Sequence, residues 1–156
     1  MLFRSNIIPS VQPTHATSDM YWAGDRLGRE RIRTAYAYKD LMNAADGRIA
    51  FGTDFPVENI NPLYTFYAAV ARRDLKGYPD KGFQQENKVK RKEALCAMTI
   101  WAAYANFEEM EKGSIEERKL ADFVILDGDI MEIDKDNVPY VKVLATYING
   151  EKVFGN

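Results

Sequence analysis

The chain has 156 residues, 46% of them hydrophobic and 28% charged, with a formal net charge of -2; this is the composition of a globular domain with a real core, not of a disordered segment. Basic and acidic residues are interspersed, which argues against nucleic acid or an anionic membrane as the main partner, and no apolar run approaches the roughly 18 residues a membrane-spanning helix needs. Cys96 is the single cysteine, so no intrachain disulfide exists and a reducing compartment, the cytoplasm, is expected; His15 is the single histidine, which excludes a metal site built mainly from this chain's own imidazoles.

Ile7 to Pro13 reads as a short strand. Thr14 to Leu27 shows no period and contains Gly24 and Gly28, so it reads as a loop. The spacing of Ile32, Ala35, Tyr36 and Met42 predicts one helix over Arg29 to Asn43. Asp46-Gly47 marks a turn into a second strand, Ile49 to Phe51. The next segment, Gly52-Thr53-Asp54-Phe55-Pro56-Val57-Glu58, carries the chemistry. An aspartate just past a buried strand and stopped by a proline is held at the strand's C-terminal end, which is where barrels of alternating strands and helices place their active sites. A carboxylate fixed there binds a metal, takes a proton, or caps the next helix.

Asn61-Pro62 is a helix start, because Asn caps and Pro suits the first helical position. A helix is therefore predicted over Leu63 to Arg73. Lys76 to Gln84, with Gly77, Pro79 and Gly82, is an exposed excursion. Lys90 to Phe107 is helical, broken near Thr99, with Ala94, Leu95, Met98, Ala102 and Ala105 as its buried stripe. After Gly113 the chain turns β-rich. Phe123 to Leu126 and Val141 to Ile148 are strands, and Asn149-Gly150 is a tight turn into Glu151 to Phe154. The boundary falls near Glu111 to Ser114. Tyr36, Tyr38, Tyr64, Phe66 and Tyr67 read as packing residues and Cys96 as inert core. Arg72 reads as a solvated helix arginine, and the run Lys88, Lys90, Arg91 and Lys92 as a solvated helix start.

Several motifs in this order resemble the metal-dependent amidohydrolase superfamily, in particular the branch that includes N-substituted formamide deformylase. They are Ser10-Val11-Gln12-Pro13-Thr14-His15-Ala16, Asp19, Gly52 to Glu58, Ala69-Val70-Ala71-Arg72, Ala94-Leu95, Thr99, Ala103, Gly113-Ser114-Ile115 and Leu120 to Leu126. The resemblance implies an α/β fold: the last two βα units of a (β/α)₈ TIM barrel in residues 1–111, and the C-terminal part of a small β-sandwich in residues 112–156. A whole barrel takes about 250 residues, so the chain is expected to be a C-terminal fragment of a longer enzyme.

In that superfamily the metal ligands are a His-x-His pair after the first strand, a bridging residue in mid-barrel, histidines after the fifth and sixth strands, and an aspartate after the eighth. The resemblance makes Asp54 that last ligand and the general base toward a metal-activated water. The metal, zinc, would be bound by the longer parent and not by this chain alone. His15 falls after the seventh strand, which does not supply a ligand in the superfamily. It is a candidate for substrate contact or for orienting another group, the alternative being a loop histidine bonded to backbone. Gln12 is a further substrate-binding candidate and Asp19 a weaker one, while Thr53 and Pro56 support the loop. Arg118 stands where the superfamily has a glycine, so the turn there is expected to differ.

The function implied is hydrolysis of a C–N bond, other than a peptide bond, in a small amide or formamide, by an enzyme of which this chain alone is inactive. The alternative is a non-catalytic small protein or interaction module derived from such a tail. Either way, unpaired strand edges predict self-association into homo-oligomers.

Overall fold

The computed structural model describes residues 7–155. Two short strands, β1 (Ser10–Val11) and β2 (Ala50–Phe51), pair in parallel, Ser10 opposite Ala50 and Val11 opposite Phe51. Parallel strands need a long crossover. Here it contains helices α1 (Pro13–Asp19), α2 (Ala23–Arg31) and α3 (Tyr38–Ala44).

The crossover departs from the sequence reading in two ways. Residues 14–27 are largely helical and not a loop. Pro13 starts α1 behind the extended Gln12, and Thr17 Oγ1 donates to the Thr14 carbonyl at 3.0 Å. Seven residues are too few to display a period, and Gly28 kinks α2 at φ 75°. The single helix expected over residues 29–43 is instead broken: a 3₁₀ turn at Ile32–Thr34 is followed by extended Ala35 and by Tyr36 at φ 56°. Long-range bonds from the two tyrosines hold the break. Tyr36 Oη donates to Asp19 Oδ2 at 2.8 Å, and Tyr38 Oη donates to the Gln12 carbonyl at 3.0 Å.

Helix α4 (Pro62–Ala71) is the centre of the molecule. The Leu63 N–H donates to Asn61 Oδ1 at 3.0 Å, which caps the helix as its sequence predicts. Leu63, Thr65, Phe66, Tyr67, Ala68, Ala69 and Ala71 are all buried, as expected of a helix surrounded by other elements. Its neighbours include α1, α5 (Arg91–Met98) and the 3₁₀ helix Lys135–Tyr140. The core unites Ala16, Met42, Ile49, Phe51, Phe66 and Val138. Thr99 separates α5 from α6 (Ile100–Ala105), with φ −126° and ψ −98°. That break turns the buried face: Ala94, Ala97 and Ala103 are inside, whereas Leu95 and Ala105 of the expected stripe are exposed. Cys96 is half-buried rather than inert core.

Two arginines also differ from expectation. Arg72 ends α4 in the left-handed conformation, and its side chain is fully buried instead of solvated. Arg91 is not part of a solvated run. Its guanidinium donates to the carbonyls of Ile130 at 2.8 Å and Ile133 at 2.6 Å, gripping the segment that precedes the 3₁₀ helix Lys135–Tyr140.

Strands β3 (Phe123–Leu126), β4 (Val143–Ile148) and β5 (Glu151–Phe154) form an antiparallel sheet in that order. Asn149 and Gly150 have φ 50° and 80°, the positive pair that a two-residue hairpin turn requires. Phe123 stacks on Tyr147 across the sheet with ring centroids 4.6 Å apart. Arg118 takes φ 72°, so the turn keeps the left-handed conformation that its side chain was expected to prevent.

Candidate functional site

Gly52 extends the parallel ladder by one bond, its N–H donating to the Val11 carbonyl at 3.1 Å. Two residues later Asp54 adopts φ 58°, a conformation that aspartate tolerates better than most side chains. Its backbone carbonyl accepts from the N–H groups of Val57 at 2.8 Å and Glu58 at 3.3 Å. The Phe55 N–H donates to Thr53 Oγ1 at 3.3 Å, so Thr53 braces the turn and not the Asp54 carboxylate. Pro56 lies exposed within this loop, after a cis peptide bond. The helix-capping alternative for Asp54 does not hold, because Asn61 caps α4.

The Asp54 carboxylate instead faces His15. Asp54 Oδ2 lies 3.3 Å from His15 Nε2, with the two side chains 45% and 27% exposed. The approach lacks hydrogen-bond alignment, and Nε2 is shielded from solvent without any hydrogen-bond partner. The backbone-bonded loop histidine weighed from the sequence is therefore not what Nε2 shows. His15 is the third residue of α1, and Ser18, one turn on, reaches the same loop. Ser18 Oγ donates to Glu58 Oε1 at 2.6 Å. Ser18 is absent from the sequence-derived candidates because residues 14–27 read as a loop; its helical spacing from His15 is the signal that finds it, and its bond then brings in Glu58.

Gln12 acts through its backbone: its carbonyl accepts from the His15 N–H and from Tyr38 Oη, both at 3.0 Å. Asp19 accepts from Tyr36 and so braces the crossover. Burial, then the Asp19 hydrogen bond, push the Tyr36 hydroxyl up to about 12. Behind Gln12, burial pushes Tyr38 further upward. It pushes the neighbouring Arg72 guanidinium down to about 10. A cavity of about 250 Å³ is lined by Ser18 and Glu58 together with, among others, Thr14, Tyr21, Tyr64 and Arg73. Asp54 and His15 do not line it.

The profile of the amidohydrolase family matches residues 2–154. The chain belongs to the amidohydrolase family. It is 36% identical over 150 residues to Protein LONG AFTER FAR-RED 3 of Arabidopsis thaliana, a match that covers 96% of this chain and 25% of that protein. It is 32% identical over 129 residues to N-substituted formamide deformylase of Arthrobacter pascens, covering 83% of this chain and 22% of the relative. Among solved structures it resembles an uncharacterized metal-dependent hydrolase from Pyrococcus horikoshii OT3, with TM-score 0.70 and 32% identity over 83% of this chain and 26% of that one. The chain thus spans about a quarter of the length of these family members.

The Pyrococcus hydrolase is metal-dependent, and a divalent metal belongs to the chemistry of the family. The Asp54 carboxylate, half exposed and standing past the end of β2, suits such an ion as one donor. Among the described residues no group of three or more His, Cys, Asp or Glu side chains gathers at one point. No helix among the described residues is long and apolar enough to cross a membrane.

Proposed function

We propose that this chain supplies the last two βα units of a (β/α)₈ hydrolase barrel and the C-terminal part of its β-sandwich, and that Asp54 is the metal-ligating carboxylate and general base of that enzyme. One observation carries the reading: the Asp54 carboxylate stands past the end of β2, in a parallel pair, free of the capping role and directed at an unpartnered imidazole nitrogen. The substrate class is a small amide or formamide cleaved at its C–N bond, the metal is zinc, and the setting is the cytoplasm. The named activity of the Arthrobacter relative supports this substrate class.

When bound, the metal lowers the pKa of water to about 7 and polarises the substrate carbonyl. Asp54 takes the proton that water loses as it adds to the carbonyl carbon, and it returns that proton to the departing amine nitrogen. The Asp54 turn and the Ser18–Glu58 bond keep the carboxylate in place between these two transfers. The remaining ligands lie in parts of the barrel that this chain does not cover, so residues 1–156 alone turn over no substrate.

The test is a chimera in which this chain replaces the segment it matches in the Arthrobacter deformylase. N-formyl amine hydrolysis persists in the chimera and falls at least about 100-fold in its Asp54→Asn form. Turnover by the isolated chain, or an Asp54→Asn chimera as fast as its parent, would contradict the proposal.

A second reading has its own observation. Phe55, Val57 and Ile60 are 59%, 73% and 64% exposed around the site loop. That apolar rim also suits a non-catalytic protein that associates with itself.

A further inference from the structure

We propose that the cavity lined by α1 and α4 binds a small alkylammonium ion, recognised by tyrosine rings, by the Glu58 and Asp74 carboxylates and by the Thr14 hydroxyl. The inference is independent of the metal reading above, since Asp54 and His15 do not line this cavity.

Size and charge select the ligand. A cavity of about 250 Å³ lies below the roughly 300–1,000 Å³ of pockets for drug-sized molecules, so it suits a ligand of a few heavy atoms. Its charged lining residues are Glu58, Asp74 and Arg73. Arg73 is already engaged: Nη1 lies 3.3 Å from Asp136 Oδ2, and Nη2 donates to the Asp80 carbonyl. Glu58 and Asp74 form no ion pair among the described residues. Glu58 accepts from Ser18, and Asp74 accepts from Tyr21 and from the Lys76 and Tyr78 N–H groups. Hydrogen bonds hold both carboxylates in place without neutralising them. The cavity is left negative, which disfavours an anion and favours a cation.

The walls say which kind of cation. Tyr21, Tyr64 and Tyr67 all line the cavity. The face of a tyrosine ring attracts a cation within about 6 Å and also packs against an alkyl chain. Tyr67 is buried, and its hydroxyl donates to Asp136 Oδ1 at 3.1 Å. Tyr21 is exposed, but its ring stacks on Tyr78 with centroids 5.7 Å apart and its hydroxyl is held by Asp74. These rings are therefore set before any ligand arrives, which lowers the cost of binding. A bare metal ion asks for oxygen donors on all sides. Aromatic walls do not supply them, and no group of three or more metal-binding side chains is gathered among the described residues.

One further group asks for an N–H donor. Thr14 is only 7% exposed, and its Oγ1 is shielded from solvent with no hydrogen-bond partner. Buried hydroxyls are normally paired. An ammonium N–H supplies the missing partner, whereas a quaternary ammonium has none to give. The ligand is thus a primary or secondary amine in its protonated form.

The experiment is a titration of the isotope-labelled full chain with propylammonium chloride, followed by backbone NMR shifts, with n-propanol, sodium chloride and tetramethylammonium chloride as comparisons. Propylammonium should shift the amides of α1 and α4 around the cavity saturably, and n-propanol at the same concentrations should not. Glu58→Gln should weaken binding at least about fivefold, and Tyr64→Leu at least about threefold. Tyr64→Phe keeps the ring and should bind as the parent does. Thr14→Val should weaken propylammonium and leave tetramethylammonium unchanged. Glu117→Gln removes an exposed carboxylate outside the cavity and should change nothing. The same spectra report whether each variant keeps its fold. Absence of a saturable shift, equal binding of n-propanol, or propylammonium binding unchanged in Glu58→Gln, Tyr64→Leu or Thr14→Val overturns the inference.

Discussion

Arg72 lies over the ring of Tyr38, its guanidinium carbon 5.3 Å from the ring centroid. The arginine is fully buried, and no carboxylate bonds it. Its Nε donates to the Phe83 carbonyl at 2.9 Å and its Nη2 to Gln84 Oε1 at 3.2 Å. Phe83 covers it from a second side at 5.6 Å. Through Tyr38, whose hydroxyl reaches the Gln12 carbonyl, this arginine supports the end of β1 from which His15 departs. Tyr38→Phe therefore loses one hydrogen bond, and should cost about 1 kcal/mol and lower the melting temperature by about 2–4 °C. Arg72→Ala leaves a cavity and an unpaired Phe83 carbonyl and should cost roughly 3 kcal/mol or more. Arg72→Lys should not restore it, because an ammonium reproduces neither the planar fork nor the stacking. Chemical denaturation of the three variants checks the order.

High pH should destabilise the protein before it affects less tyrosine-rich cores. Burial, helped by the Asp19 and Asp136 carboxylates respectively, raises Tyr36 and Tyr67 from 10.0 to about 12. Each favours the protonated folded state, so its contribution is whole below pH 10 and is lost as pH rises through 12. Tyr38 is shifted the same way. Arg72 acts in the opposite sense: burial lowers it from 12.5 to about 10, so its cost in the folded state is relieved over that same window. Three tyrosines oppose one arginine, and the net result is a fall in stability above pH 10. Melting temperatures across this range, with tyrosinate absorbance recorded alongside, decide it. A flat profile, or tyrosines that all ionise near 10, would contradict these environments.

Ser18→Ala should loosen the site loop without unfolding the chain. It removes the 2.6 Å bond to Glu58 and little buried surface, because Ser18 is exposed. The global cost should stay within about 1 kcal/mol. Hydrogen exchange at the Val57 and Glu58 amides, both bonded to the Asp54 carbonyl, should quicken while exchange in α4 stays unchanged. Equal acceleration in α4 would mean that the bond serves the whole fold and not the loop.

The chain should associate with itself in solution. Phe107, Ile115 and Met110 are 94%, 89% and 79% exposed in the segment leading to the β-sheet, and Val143, Leu144, Val153 and Phe154 lie open on the sheet itself. Isolated apolar residues are ordinary on surfaces, but this many close together mark a contact surface. Light scattering should give more than the monomer mass, and replacing Phe107 and Ile115 by lysine should reduce it. A monomer that binds no hydrophobic dye would contradict the expectation.

What is legible in the sequence, and what is not, divides along the range of the interactions involved. The Asn61 cap, the Thr99 break and the Asn149-Gly150 turn are local signals, and each stands in the structure where its residues put it. The buried strand before Asp54 is legible because Ile49, Ala50 and Phe51 form an apolar run with a turn on either side. The crossover is not. Tyr36 and Tyr38 break the expected helix by bonding to Asp19 and Gln12, residues of distant sequence position, and no spacing rule within residues 29–43 records that. Arg72 is hidden for the same reason, since an arginine's burial depends on Phe83, Gln84 and Tyr38 closing over it. In the site, Asp54 and His15 are each visible as candidates. Their 3.3 Å approach is not, because it depends on α1, which has too few residues to show a period.

The metal-ligating role of Asp54 can be seen or refuted by zinc-edge anomalous diffraction from zinc-soaked crystals of the chimera in which this chain replaces its matching segment of the Arthrobacter deformylase, where the remaining ligands are present. A peak is expected about 2.0–2.2 Å from the Asp54 carboxylate. A saturated crystal with no zinc at Asp54, or with its carboxylate turned away to bond protein donors, would refute that role.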